Sequence, residues 1–387
     1  MLVLVVAILG AVLVTLVGLA ALMRVESSSV GTSNVTAEAN QNALFALRLA
    51  LGQLQRFTGD EGVVTARAEA IDSTSSNPNW CGVWRADTGG PLVWLVSGNE
   101  LNPLTYEPQT ALPLAIDGSV AIMQRVATWK HAVRVPKIDI RGRKEGVRDE
   151  VVTGRYAYWV SDESTKVSVN VNTGATLPTG IAKYPKLNAK VINSALDVSE
   201  TDRDRLLVTD QLLDLGLAPA TLNSVWNDIT VSTQRLYVDA GSPMLTEAPF
   251  NVNSVSDNAW KAVLAAEDLG ISEDDRAKIV EGIQKAGRPI RALDDFKAAL
   301  QTVLTSAGSL VTAAAVTEQL EPLLTVRGDS FLLRGYGEVV DPLSGSGEVV
   351  ARAACEARVQ RIPQELIGTA GWKYVITYFR WLNPADL

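Results

Sequence analysis

Residues 1–23, MLVLVVAILGAVLVTLVGLAALM, hold none of the chain's 35 basic and 43 acidic residues, and Thr15 is their one hydroxyl. A helix rises about 1.5 Å per residue, so the stretch spans roughly 35 Å, enough to cross a hydrocarbon core of about 30 Å with some tilt. Leu, Val and Ile each favour the bilayer centre by roughly 0.3–0.6 kcal/mol, and no charge opposes them. The expectation is a transmembrane helix over 1–23. A cleavable secretory signal would instead show a basic start and a shorter apolar run.

No proline precedes Pro78, so a helix can continue beyond the membrane. From Thr36 the chain reads TAEANQNALFALRLALGQLQRF, where Leu44, Leu47, Leu51 and Leu54 recur at spacings of 3, 4 and 3 and Ala43, Ala46 and Ala50 widen the stripe. That spacing predicts an amphipathic helix with one apolar face, stopped by Thr58-Gly59. The intervening SSSVGTSNV is a weak helix former, and a bend is expected near Gly31. Residues 24–58 therefore read as an extension of the membrane helix whose stripe packs on a globular head.

The chain is 47% hydrophobic and 20% charged, which supplies a sizeable core and excludes wholesale disorder. A net charge of −8 offers no general attraction for nucleic acid. With one histidine, His131, and two cysteines, Cys81 and Cys355, multi-histidine metal sites, zinc ribbons and iron–sulfur clusters have no ligands. Asp87-Thr-Gly-Gly matches the core of an aspartic-protease loop, but that chemistry needs a second such carboxylate and no other DTG or DSG occurs; a turn is expected. His131 lies among basic neighbours with no nucleophile beside it, so a structural role is expected. The basic run 130–148 reads as a solvated hairpin before it reads as a lipid-headgroup or acidic-partner contact. Residues 260–283, with Leu269-Gly-Ile271 between two helices, have a helix-hairpin-helix pattern, but their acidic flanks would repel phosphate. Cys81 and Cys355 are a candidate disulfide in an oxidising compartment, with two buried thiols the alternative. The acidic clusters at 197–204 and 273–275 lack the regular spacing of a calcium loop, and helix capping accounts for them.

Alternation predicts strands at 80–85, 91–97, 120–129, 132–140, 155–160 and 166–171, and again at 331–340, 348–360 and 374–381. Helices are expected near 200–215, 256–268, 273–286, 292–305 and 311–324, with Ser199 and Ser272 as N-caps. Strands, a helical block and strands again are most economically one sheet interrupted by a helical insertion.

Four segments, in this order, resemble the K-type minor pseudopilins of type II secretion (general secretion pathway protein K) and, more loosely, related pilin-like membrane proteins. They are the apolar start running into an amphipathic helix; YAYWVSDESTKVSVNVN at 156–172; residues 249–300, where Asn251-Val-Asn253 precedes two short helices; and 330–361, with FLLRGYGEV, a turn and ARAACEARVQR. The resemblance implies an α+β fold in which a long N-terminal membrane helix packs on a pilin-like antiparallel sheet that carries an inserted helical domain. The corresponding division is 1–23, 24–58, 59–184, 185–326 and 327–387. It implies a non-enzymatic, single-pass bacterial inner-membrane protein with a periplasmic head, assembling at the tip of a pseudopilus. Its partners would be other pseudopilins or pilin-like proteins, membrane lipid and secreted cargo. No cofactor is implied, although some K-type subunits bind calcium. Most pilins carry a glutamate at mature position five and K-type subunits do not. Here that position is Val5, and no acid occurs before Glu26, which fits a tip subunit if Met1 lies near the mature start. The assembly helix would use Val5, Gly10, Gly18, Leu44, Leu47, Leu51 and Leu54, and the family-like motif positions are Asp162, Glu163, Asn170, Asn172, Asn251 and Asn253. The alternative reading is a membrane-tethered periplasmic protein-binding module unrelated to secretion, with the helical block as its recognition surface.

Overall fold

The computed structural model describes residues 33–59, 61–113, 118–126, 129, 131–143, 150–169, 189–196, 206–231, 235–238, 244–247, 249–266, 269–308, 311–320, 323–341, 347–366 and 369–383. The expected membrane helix at 1–23, with Val5, Gly10 and Gly18, lies outside them. Among the described residues no helix is long and apolar enough to cross a membrane.

The first described element, α1, runs over residues 33–58. Short elements follow: β1 (Val63–Arg67), the single turn α2 (Ala68–Ile71), β2 (Cys81–Arg85), β3 (Pro91–Trp94), β4 (Ser119–Met123), β5 (Val133–Pro136) and β6 (Ile138–Gly142), then the long β7 (Val151–Asp162). After β8 (Val167–Ser168) come α3 (Pro219–Val225), β9 (Ile229–Thr230), β10 (Arg235–Val238), β11 (Met244–Glu247) and β12 (Phe250–Asn251). Helices α4 (Asp257–Leu264), α5 (Glu273–Gln284), α6 (Leu293–Ala307) and α7 (Ala313–Leu320) precede β13 (Leu324–Thr325), β14 (Ser330–Val340), β15 (Val349–Leu366) and β16 (Thr369–Leu382).

The main sheet has the described order β16-β15-β14-β7-β6, all antiparallel. β14 lies directly against β7, with Leu333 opposite Val160 and Gly335 opposite Tyr158, so strands on either side of the helical block complete one sheet. One face of this sheet receives α1. The other is covered by β4, β5 and 206–231, over a core that includes Trp80, Trp84, Trp159 and Trp226; β1–β3 join the edge of β7 through the Val96–Trp159 bridge, and their Cys81, Val83 and Val93 pack on the α1 side. Helices α4–α7 have a core of their own around Trp260, Phe296, Ile279 and Leu320, with Trp260 stacked on Phe296 at 5.5 Å. Their starts follow local rules: Ser256 Oγ accepts from Ala259 N and Ser272 Oγ from Asp275 N, satisfying N–H groups that a helix leaves unpaired.

Several expectations change. The strand expected at 132–140 breaks at Pro136, which has no N–H to donate; β5 pairs with β4 and β6 with β7. The strand expected at 120–129 stops at Met123. The strands expected at 155–160 and 166–171 both form in part but do not pair with each other. β7 continues to Asp162, whose side chain caps the short turn Glu163–Thr165, and β8 then pairs in parallel with β9. The helix expected near 200–215 is represented among the described residues by a single 3-10 turn, Thr209–Leu212, and α3, which begins on Pro219, was not anticipated.

Candidate functional site

Two arrangements give this head its character: the seam between α1 and the sheet, and a buried polar junction where the sheet meets the helical block.

Helix α1 buries Ala39, Ala43, Ala46, Leu47, Ala50 and Leu54. Leu44 and Leu51, expected on the apolar stripe, are only half-buried on its flank. The sheet explains the shift. On β14, Gly335 and Gly337 face the helix, and a β-carbon at Gly335 would sit 2.5 Å from the Ala43 carbonyl oxygen. At Gly337 it would sit 2.6 Å from the Ala39 oxygen and closer still to the Ala43 nitrogen. Helix backbone rests on strand backbone, so the centre of the contact takes alanine, while Leu47 and Leu54 fill the space beyond and contribute about 1.5–3 kcal/mol each. Side chains then lock the register. Asn42 Nδ2 donates to Glu338 O at 3.1 Å, and Gln55 brackets β16 by donating to Trp372 O (2.8 Å) and accepting from Tyr374 N (3.0 Å). Thr58 Oγ1 shares a hydrogen with Tyr374 Oη at 2.7 Å. Arg361, fully buried and stacked 4.0 Å from the Trp372 ring, donates to Gly59 O at 2.8 Å where the helix ends; a cation there also matches the negative end of the helix dipole.

The junction is built on Asp162. Its Oδ1 accepts from Ser164 N (2.9 Å) and Ser164 Oγ (2.5 Å), and its Oδ2 from Thr65 Oγ1 (2.7 Å) and Asn251 Nδ2 (3.0 Å). Asn251 Nδ2 also donates to Thr65 O, and its Oδ1 accepts from Asn253 N. Asn253 makes paired amide bonds with Ile290, accepting at 2.7 Å and donating at 3.0 Å. Next to Asp162, Glu163 accepts from Lys166 Nζ at 2.7 Å and Thr230 Oγ1 at 2.8 Å. Four of the six motif positions, Asp162, Glu163, Asn251 and Asn253, thus converge, all buried; Asn170 and Asn172 lie outside the described residues. Burial pushes the Asp162 carboxyl above its ordinary value, with the hydrogen bonds pulling against it. Burial also opposes ionisation of Glu163, but Lys166 and Arg358 outweigh it and hold that carboxyl low. The junction fastens β1, β7, β12 and the 288–290 loop to one another. Asn251→Ala would take one donor from Asp162 and Thr65 O and leave the buried Asn253 N–H without its acceptor, an unmet group costing about 1–3 kcal/mol; a fall of that size in denaturant-measured stability is expected, and no change would contradict the clamp.

On the sheet face away from α1, charges alternate along β14 and β15 yet are buried. Glu338 accepts from Lys137 Nζ (2.7 Å), Arg155 NH1 (2.9 Å) and Tyr336 Oη (2.7 Å). Glu356 pairs with Arg334 at 2.7 Å and Arg380 at 2.8 Å, and Arg380 and Arg125 both hold Asp210. Burial raises the Asp210 pKa, but hydrogen bonds from Arg380 and Arg125 outweigh it and leave the carboxyl below its ordinary 3.8. A depressed folded-state value means stability that is present above pH 3.8 and is lost as pH falls through the folded pKa. Asp210→Asn is therefore expected to be less stable than the parent at pH 7, by about 1–3 kcal/mol, with the gap closing as the pH drops below 3.8. An equal gap at pH 7 and at about pH 2.5, roughly one unit below the ordinary carboxylate values, would contradict the assignment. Sequence reasoning missed these groups because alternation alone reads them as a solvent face.

The other candidates resolve simply. Cys81 and Cys355 are free buried thiols on different sheets, Cys81 Sγ against Gly82 O and Cys355 Sγ against Ala43 O, so the candidate disulfide is not formed. Asp87 lies in the β2–β3 turn and accepts from Thr88 N. His131 packs edge-on to Trp129 at 5.6 Å. Among the described residues no three His, Cys, Asp or Glu side chains gather as a metal site; Glu273 and Asp275 lie in the first turn of α5.

No protein-family model matches the sequence, and no curated protein does. Among solved structures, the chain is similar to one in the crystal structure of the GspK-GspI-GspJ complex of the type 2 secretion system of enterotoxigenic Escherichia coli. The TM-score is 0.35 and the identity 13%, over 63% of this chain and 83% of that one.

Proposed function

We propose that this chain is a structural, non-enzymatic subunit of the minor pseudopilin kind, held in the bacterial inner membrane by residues 1–23 and assembling through its N-terminal helix at the tip of a periplasmic pseudopilus. The observation that carries the reading is the seam: an alanine-lined helix, which begins nine residues after an uncharged apolar segment, is fixed backbone-to-backbone on an antiparallel sheet. Such a joint suits transmission of force between membrane and head. Hydrogen bonds from Asn42, Gln55 and Arg361 resist sliding of the helix along the sheet, and the Asp162 junction resists separation of sheet and helical block. The polar groups of the junction are consumed in holding one another, which supports a mechanical role.

Partners of this role are neighbouring chains with similar apolar helices. An arginine at Val12 or Leu13 would place a charge at mid-bilayer, costing about 2.5–3.5 kcal/mol on insertion scales. Detergent-solubilised full-length chain is expected to co-purify with pilin-like proteins encoded beside it, and Val12→Arg to abolish this while the head keeps its folded circular dichroism. A chain that is monomeric and soluble in the cell would overturn the proposal.

A further inference from the structure

The main sheet ends at β16, which has no strand on its outer side among the described residues. Long open edges with apolar side chains invite a further strand, and proteins ordinarily cover or charge them. Here Ile376, Phe379 and Trp381 are 50%, 38% and 46% exposed. In register they stand opposite Val359, Ala357 and Cys355, residues that pack beneath α1, so the three share the helix side of the sheet. Phe379 and Trp381 meet edge to face at 5.5 Å, a preformed aromatic pair. Among the described residues the start of this edge is met by Gln55, which reaches from α1 to Trp372 O and Tyr374 N and binds them as a neighbouring strand would. Leu44, Arg48 and Gln55 follow one another at spacings of 4 and 7, so they share the helix flank that overlooks β16. Charge on this surface is one-sided. Arg48 and Lys373 are exposed, residues 369–382 contain no acid, and Glu38 is the one acid of 33–58, on a chain of net charge −8.

We propose that the open edge of β16, with the adjoining flank of α1, is a docking site for an extended strand of a partner protein in which apolar and acidic residues alternate. Main-chain hydrogen bonds to β16 supply affinity, the apolar residues cover Ile376, Phe379 and Trp381 on the helix side, and the acidic ones, turned to the opposite face, meet Lys373. A second copy fits poorly, because edge-to-edge pairing would bring the same basic surface against itself. Lipid fits poorly because it offers no repeating donors and acceptors to a strand edge. The inference deepens the assembly reading by naming the partner's chemistry, and rests on it.

The test uses full-length chain in detergent micelles and three fluorescent synthetic peptides: one alternating Glu with Val and Ile, one with Lys in place of Glu, and the acidic one with alternate main-chain nitrogens methylated. Fluorescence anisotropy at low salt is expected to show the acidic peptide binding at least tenfold more tightly than the other two. Trp381→Glu is expected to weaken it at least tenfold, Lys373→Glu to erase the preference over the Lys peptide, and Lys285→Glu, at the exposed C-terminal end of α5, to change nothing. Because these positions are exposed, unaltered melting of each variant checks that the fold is kept. Equal binding of all three peptides or insensitivity to Trp381→Glu overturns the proposal. So does uptake by phosphatidylglycerol vesicles, or self-association, that the acidic peptide does not compete with. Loss of peptide binding with co-purification of pilin-like partners intact would remove this site alone and leave the assembly role standing.

Discussion

Glu338→Ala is expected to destabilise the head by about 3–5 kcal/mol, the range found when one member of a buried ion pair is removed. Glu338 is fully buried and neutralises both Lys137 and Arg155 while accepting the Tyr336 hydroxyl. Its loss removes the buried carboxylate that both cations share and leaves Arg155 to its pair with the exposed Asp139. Burial already lowers the Lys137 pKa with Glu338 in place, so deprotonation of that lysine is the cheapest response open to the variant. Urea unfolding of the two proteins measures the difference. A loss below about 1 kcal/mol, the size of a surface pair, would mean that the interior at Glu338 is wet.

The second large effect concerns the seam. A leucine at Gly337 cannot be accommodated by side-chain adjustment, because what it meets is the backbone of α1 at Ala39, Asn42 and Ala43. Either the helix lifts from the sheet, exposing Ala39, Ala43, Leu47 and Leu54, or β14 bends. Overpacking of this kind costs about 1–3 kcal/mol and occasionally more, and lost burial of the two leucines adds about 1.5–3 kcal/mol each. Gly337→Leu is therefore expected to reduce stability by more than about 3 kcal/mol, by the sum of those terms, and to release residues 39–54 to fast amide exchange while α4–α7 stay protected. Gly52, exposed on the same helix with open space about it, is the contrast. Gly52→Ala is expected to stabilise by about 0.5–1 kcal/mol through helix propensity. A Gly337→Leu protein with the parent's exchange pattern would refute the close contact.

Much of this architecture was legible in the chain because the long strands announce themselves. FLLRGYGEV and ARAACEARVQR alternate cleanly, and their pairing across a turn follows. That β14 also joins β7 across the helical block was readable as economy of cores. The seam was not fully legible: leucines at 44, 47, 51 and 54 suggested a leucine face. Which residues sit at the centre depends on where the strand glycines lie, and that is set by a pairing of α1 with β14 nearly 300 residues away. The buried charges were harder still. Arg334, Glu338, Glu356 and Arg380 lie at strand positions of one parity, which in a sheet with one wet face mean solvent. Here a second layer, assembled from short strands and irregular segments with weak periodicity, covers them. Asp162, Glu163, Asn251 and Asn253 were marked by resemblance alone, since nothing in their spacing says that Asn251 reaches Asp162.

The account turns on which surface meets other proteins: the N-terminal helix, or the helical block. Cys81 and Cys355 are buried, with burial pushing the Cys355 thiol up to about 12 and the Cys81 thiol well above its ordinary value, so both are poorly reactive. A single introduced surface cysteine is therefore a clean probe. Gln41→Cys and Arg48→Cys place it on exposed positions of α1, and Lys285→Cys at the end of α5. With the full-length protein in its native membrane, a thiol-anchored photo-crosslinker followed by mass spectrometry is expected to join positions 41 and 48 to chains that carry an uncharged apolar segment like residues 1–23, and to leave position 285 without such adducts. Adducts confined to position 285, or none with pilin-like chains from α1, would contradict assembly through the helix and favour the helical block as the binding face.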